Sequence, residues 1–231
     1  MEIGGFEKTS LVDYPGKICC IVYTIGCSMR CKFCYNGDLL SEEAFNASDR
    51  KRIDEYDILD YIEEHSKMLE AVSITGGEPT LQRDLPIFCQ KIKWLNKLVK
   101  IDTNGTDPNQ LQRCITMGVV DYIAMDLKGP PGKYKQVTGV DFSKNIMASI
   151  NAIKNSELPH EFRVTLYPKL TKQDVIDAIS LVSGSKVFLQ KFEPDNALFP
   201  DARKTISIPE NIAKEIIEET KDIADVQLRG F

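Results

Sequence analysis

The chain has 231 residues, enough for one well-filled core and short for two, since single cores stop growing near roughly 250–300 residues. Lys and Arg number 29 against 34 Asp and Glu, a net charge of −5, which argues against a nucleic-acid or anionic-membrane binder because either needs a basic face. With 42% hydrophobic and 27% charged residues, no apolar run longer than Ile18 to Ile25 and no signal-peptide pattern, the sequence excludes disorder and a helical membrane span and reads as one cytosolic domain over 1–231, with neither nucleic acid nor membrane among its partners.

Apolar runs, alternating or continuous, predict strands at 17–25, 70–75, 98–103, 119–126, 160–167, 185–192 and 225–229. Segments with helical periodicity lie between them. Over 54–69, Ile58, Leu59, Ile62 and Leu69 share a side. After Asp84, Leu85, Phe88, Ile92 and Leu95 step by three and four. Asp107-Pro108 opens a helix that Gly118 closes. Ile146, Ile150 and Ile153 stripe the next. Thr171, with Asp174 three residues on, caps one that turns Val175, Ile179 and Val182 inward. Ile212, Ile216 and Ile217 mark the last. This β-α alternation predicts parallel strands with right-handed crossovers, in either a doubly wound sheet or a full or partial barrel. Two polar insertions, 35–53 and 129–142, follow strand ends, where α/β folds build their sites.

Seven cysteines divide into two groups. Cys19, Cys20, Cys89 and Cys114 sit among apolar neighbours and read as packing residues. Cys19 and Cys20 are adjacent on a strand, so their side chains should take opposite faces. Trp94 likewise reads as a core or boundary residue. Cys27, Cys31 and Cys34 are bunched in the spacing C-x3-C-x2-C, and three thiolates that close can wrap one metal centre. A structural zinc wants four protein ligands, and no fourth Cys or His is near in sequence. A [4Fe-4S] cube on three thiolates leaves one iron open to a chelating amino acid. Arg30 and Lys32 alternate with the cysteines and can offset an anionic cluster. Thiols packed on one helix face are the plain alternative, which Gly26, Arg30, Lys32 and Asn36 disfavour.

Cys27–Cys34 followed by Tyr35-Asn36, at the end of the first predicted strand, resembles the radical S-adenosylmethionine (SAM) superfamily. Together with Ser10-Leu-Val-Asp-Tyr-Pro-Gly16, the similarity is to its glycyl-radical-enzyme activases, over nearly the whole chain. The nearest subgroup serves anaerobic ribonucleoside-triphosphate reductase, and the pyruvate formate-lyase activating enzymes are near relatives. Many activases carry His where this chain has Tyr35. The resemblance implies a partial (β/α)6 TIM-like barrel whose cofactors are a [4Fe-4S] cluster on Cys27, Cys31 and Cys34, SAM, and a monovalent cation. It also implies that Gly76-Gly77-Glu78-Pro79 receives the methionine end of SAM. Asp102-Thr103-Asn104-Gly105 and Asp126-Leu127-Lys128 would lie around SAM and the cation, and Tyr35 would flank the adenine. Arg163, Gln190 and Lys191 are placed at the barrel mouth without a role. The implied reaction reduces the cluster from a flavodoxin or ferredoxin, cleaves SAM and takes a hydrogen atom from a glycine of a partner enzyme.

The motifs fall at the C-terminal ends of successive predicted strands, the rim where a barrel gathers its chemistry. Two rival readings stand beside it: a radical SAM enzyme of a small molecule, similar to 7-carboxy-7-deazaguanine synthase, and a non-enzymatic zinc or iron–sulfur module. Gly129-Pro-Pro-Gly-Lys133 lacks phosphate-loop spacing. His65 and His160 carry no hydrolase signature and read as structural or exposed.

Overall fold

A computed structural model describes residues 1–197 and 199–231. Eight strands form one sheet in sequence order: β1 (Ile3–Ser10), β2 (Cys19–Thr24), β3 (Ala71–Gly76), β4 (Leu98–Thr103), β5 (Tyr122–Leu127), β6 (His160–Thr165), β7 (Lys186–Gln190) and β8 (Asp225–Arg229). Only β1 pairs antiparallel, against β2. From β2 onward every neighbour is parallel. The helices are α1 (Glu42–Asn46), α2 (Glu55–Glu64), α3 (Leu85–Trp94), α4 (Pro108–Thr116), α5 (Tyr134–Thr138), α6 (Ser143–Lys154), α7 (Lys172–Ser180), α8 (Pro200–Arg203) and α9 (Glu210–Thr220). Six crossovers, carried by α2, α3, α4, α6, α7 and α9, join β2 to β8. A doubly wound sheet reverses its strand order at a switch point. This order never reverses and β1 does not pair with β8, so the architecture is the partial (β/α)6 barrel.

Local chemistry sets the helix starts. The Asp107 carboxylate accepts from Gln110 N at 3.0 Å, and Thr171 with Asp174 forms a reciprocal capping box, both satisfying amides that have no partner inside the helix. Gly118, past the end of α4, has φ +64°. The expected stripes face inward: Ile58 and Ile62 on α2, Phe88 and Ile92 on α3, Ile146, Ile150 and Ile153 on α6, Val175 and Ile179 on α7, all at 1% exposure or less. On the helix-covered face of the sheet, Val22, Ile74, Ile101 and Ile123 lie side by side across four strands, each fully buried.

The other face lines the barrel and differs in kind. Its floor is apolar, with Tyr14, Cys19 and Ala71 packed against Leu98 and Tyr122. Above the floor β4 carries Lys100 and Asp102, β5 carries Asp126 with Lys128 just past its end, and β6 carries Glu161 and Arg163, at period-two spacing. Cys19 joins the floor while Cys20 joins the helix-side core, so the adjacent cysteines do take opposite faces.

Four features depart from the sequence reading. Residues 3–10 form a strand whose glycines and charges gave no apolar alternation. Both polar insertions contain a short helix, α1 in one and α5 in the other. α2 stops at Glu64, and the Leu69 amide closes a turn by donating to His65 O at 2.9 Å. Trp94 is 71% exposed, neither core nor boundary.

Candidate active site

The three bunched cysteines lie on an irregular loop between β2 and the turn at Gly37–Leu39, with no helix over 27–34. Packed thiols on one helix face are therefore set aside. Main-chain bonds give the loop its shape. Gly26 N and Cys27 N donate to Leu39 O and Leu40 O at 2.8 and 3.0 Å, while Arg30 N and Lys32 N donate to Thr138 O and Val137 O at 2.9 and 3.2 Å. Met29 and Phe33 are buried anchors, Phe33 with its ring 5.0 Å from that of Tyr167. All three sulfur-bearing residues border one cavity of about 400 Å³. Burial pushes the Cys27 thiol up to about 12 and Cys31 up to about 11, and raises Cys34 as well. A metal centre binds thiolates, so loading one here would release protons.

The Gly-Gly-Glu-Pro turn at the end of β3 locks against that loop. A Cβ on Gly77 would lie 2.1 Å from Gly26 O, and one on Gly76, at φ +113°, would lie 2.4 Å from Thr24 N. The glycines thus permit backbone to approach backbone, and the Glu78 amide donates to Gly26 O at 2.8 Å across the junction. Glu78 itself is 1% exposed. Its carboxylate accepts from Thr80 N (3.1 Å), Thr80 Oγ1 (2.5 Å), Thr103 Oγ1 (2.6 Å) and Asn104 N (2.6 Å), riveting the end of β3 to that of β4. Burial still raises its pKa against the pull of these donors. Asn104 in turn points its amide Nδ2 at Cys27 Sγ, 3.6 Å away.

Beyond β4 the lining is ionic. The Lys100 ammonium bonds Asp102 Oδ1. Arg163 bridges the next gap, donating from Nη1 to Asp102 Oδ2 at 3.0 Å and from Nε to Asp126 Oδ1 at 2.7 Å. Lys128 Nζ completes the string at Asp126 Oδ2, 3.0 Å away. Register explains the geometry, since Asp126 and Arg163 are direct partners across β5 and β6. Burial opposes charge on both aspartates, but Arg163 and its lysine neighbours outweigh it and hold each carboxyl below its ordinary value. Lys128, opposed by the same burial, is raised by Asp126.

Of the residues singled out from the sequence, Cys27, Cys31, Cys34, Tyr35, Gly76, Gly77, Glu78, Asp102, Thr103, Asn104, Asp126 and Lys128 border this cavity, with Arg163, Gln190 and Lys191 beside them, while Arg30, Lys32, Pro79 and Gly105 do not. Tyr35 is half exposed, stacked on Phe192 at 6.5 Å, and its hydroxyl accepts from Glu193 N at 2.8 Å. The sequence reading missed Asp13, Met29, Phe33 and Thr165 in the lining and Lys100 beneath it. The last left a signal: acid and base two residues apart inside apolar strands, repeated on β4, β5 and β6. His65 and His160 are structural, each ring bonded to a nearby carbonyl.

Among the described residues no three His, Cys, Asp or Glu groups converge to grip a single ion. The three cysteines share one cavity, a donor set that could hold a metal centre. The model of the radical SAM superfamily matches residues 21–182. The chain belongs to the radical SAM superfamily. With it come the family's cofactors, a [4Fe-4S] cluster and S-adenosylmethionine, and the zinc-module alternative falls. This radical SAM enzyme is 29% identical to a protein of Methanocaldococcus jannaschii named as a glycyl-radical enzyme activating enzyme, over 96% of this chain and 93% of that one. It is 31% identical to the pyruvate formate-lyase-activating enzyme of Listeria monocytogenes, over 74% of this chain and 70% of the relative. Among solved structures, Streptococcus suis SuiB bound to S-adenosylmethionine superposes with a TM-score of 0.69 at 14% identity, covering 91% of this chain. The chain spans about half of SuiB, 49% of its length. A domain of a Bacteroides vulgatus pyruvate-formate lyase-activating enzyme gives a TM-score of 0.51 at 15% identity, over 70% of this chain and 99% of the domain. At such identities the superpositions speak for the fold.

Proposed function

We propose that this radical SAM enzyme activates a glycyl-radical enzyme, and that the enzyme it serves is anaerobic ribonucleoside-triphosphate reductase. The observation that carries the reading is the meeting, around one cavity at the strand ends, of three thiols with the Gly-Gly-Glu-Pro turn and the ionic string. Similarity to activating enzymes along nearly the full chain gives the class. The reductase is favoured by the Ser10–Gly16 stretch and by residues 36–70, which hold no cysteine and so no ferredoxin-like insert.

Cys27, Cys31 and Cys34 would hold the cluster. Gly76, Gly77, Glu78, Asp102, Thr103, Asn104, Asp126, Lys128 and Tyr35 would shape the SAM pocket, with Glu78 acting as the rivet beneath it. When bound, the two groups supply one-electron chemistry, a reductive cleavage of the sulfonium that ends with a hydrogen atom leaving a glycine α-carbon. The chain's own contribution is placement. The Asn104 amide faces the Cys27 sulfur, a contact of the kind that tunes cluster potential. Met29 and Phe33 keep water from one side of the cavity. With no ladder between β1 and β8, a lateral opening there would admit a partner's glycine loop. The reductant would be a flavodoxin or ferredoxin.

Anaerobic incubation of reconstituted enzyme with dithionite, SAM and candidate glycyl-radical proteins tests the proposal by electron paramagnetic resonance. A glycyl doublet appearing with the reductase and not with other candidates is expected. SAM consumption driven by a free metabolite, with no doublet on any protein, would replace the activase with a small-molecule enzyme.

A further inference from the structure

The resemblance assigns Asp102 and Asp126 to a monovalent cation, and the structure does not fit one. All four oxygens of these carboxylates already accept from charged donors: Asp102 from Lys100 and Arg163, Asp126 from Arg163 and Lys128. Two negative charges face three positive ones. A further cation at these two carboxylates would sit beside three fixed positive charges, in a setting where burial weakens screening.

Lys100 is the unusual member. Lysine is almost never fully buried unless paired, and this one is 2% exposed in the middle of β4. Its ammonium bonds Asp102, with Ser73 Oγ at 3.5 Å, directly under the carboxylate that borders the cavity. An ammonium is a compact point charge with three donors, close in charge and size to a potassium ion. Arg163 spans the gap between the two aspartates from the next strand but one.

We propose that this protein takes no monovalent cation at its SAM site, because the Lys100 ammonium and the Arg163 guanidinium are built-in replacements for it. Lys100 is a positioning residue in this scheme, holding Asp102 as a bound ion would. The inference rests on the cavity being the SAM site, and the experiment separates the two ideas. Thermal midpoints of the reconstituted enzyme, and its SAM isotherms, are measured in potassium, sodium and choline chloride at equal ionic strength. For the natural sequence, the midpoint is expected to agree among the salts within about a degree and the SAM Kd within about twofold. In Lys100→Met, SAM affinity should fall about tenfold in choline and recover in potassium, a cation-specific rescue that a merely structural loss would not show. A severalfold loss of SAM affinity, or a clear drop in midpoint, when choline replaces potassium in the natural protein would overturn the proposal, even if the variant fails to fold. Failure of SAM to bind in any salt would strike the functional reading, and the midpoints would still decide the question of the cation.

Discussion

Replacing Gly77 with Ala puts a methyl group 2.1 Å from Gly26 O, 2.7 Å from Gly26 C and 2.9 Å from Leu39 O. All three atoms are backbone, so no side chain can swing aside. Restoring even a tight contact near 3.1 Å requires about 1 Å of movement between the turn and the cysteine loop, in the overpacking regime that costs about 1–3 kcal/mol. That movement takes the Glu78 N to Gly26 O bond from 2.8 Å past hydrogen-bonding range, a further loss of about 1 kcal/mol. A total near 3 kcal/mol corresponds to a fall in thermal midpoint of about 6–12 °C for a chain of this size. Differential scanning calorimetry on Gly77→Ala measures it, with Gly132→Ala as the control, since nothing lies within 4 Å of a Cβ there. Iron content after reconstitution should fall too, because the displaced atoms adjoin Cys27. A Gly77→Ala protein with the midpoint and iron load of the control would show that the glycine serves something other than this backbone junction.

Arg163→Met leaves Asp102 and Asp126 facing each other without their bridge, and a broken buried pair costs about 3–5 kcal/mol; urea midpoints should drop accordingly, and a loss under 1 kcal/mol would mean the string relaxes freely. Both aspartates have depressed folded-state pKa values. Their contribution is therefore present above the unfolded carboxylate value of about 3.9 and is lost as pH falls below it. Urea midpoints should fall from pH 6 to pH 3, and Asp126→Asn should flatten the slope; an equal slope in the variant would refute this. Cys31→Ala should leave the fold intact and abolish 5′-deoxyadenosine formation, so persistence of that product would contradict the assigned ligand set.

Much of the architecture was legible because the helix-facing side of each strand and the inward stripe of each long helix are apolar at the expected periods. Ile101 and Phe88 announce their positions. β1 was not legible: Gly4, Gly5, Glu7 and Lys8 give no alternation, and the strand exists because β2 offers it a ladder. α5 was read as loop because its Tyr134 and Val137 are buried by tertiary packing too short to leave a period. The cysteines and the strand-end motifs could be placed because their spacing is local. Arg163 could not be joined to Asp102, since that bond depends on strand register across the barrel.

The cysteine loop is tied by its own amides to residues 39–40 and 137–138, bonds that need no inorganic partner. Zinc fingers differ, because there the ion is what drives the chain to fold. Such a loop would let synthesis and loading be separate events, so that a protein stripped of iron would keep a mould that can be recharged.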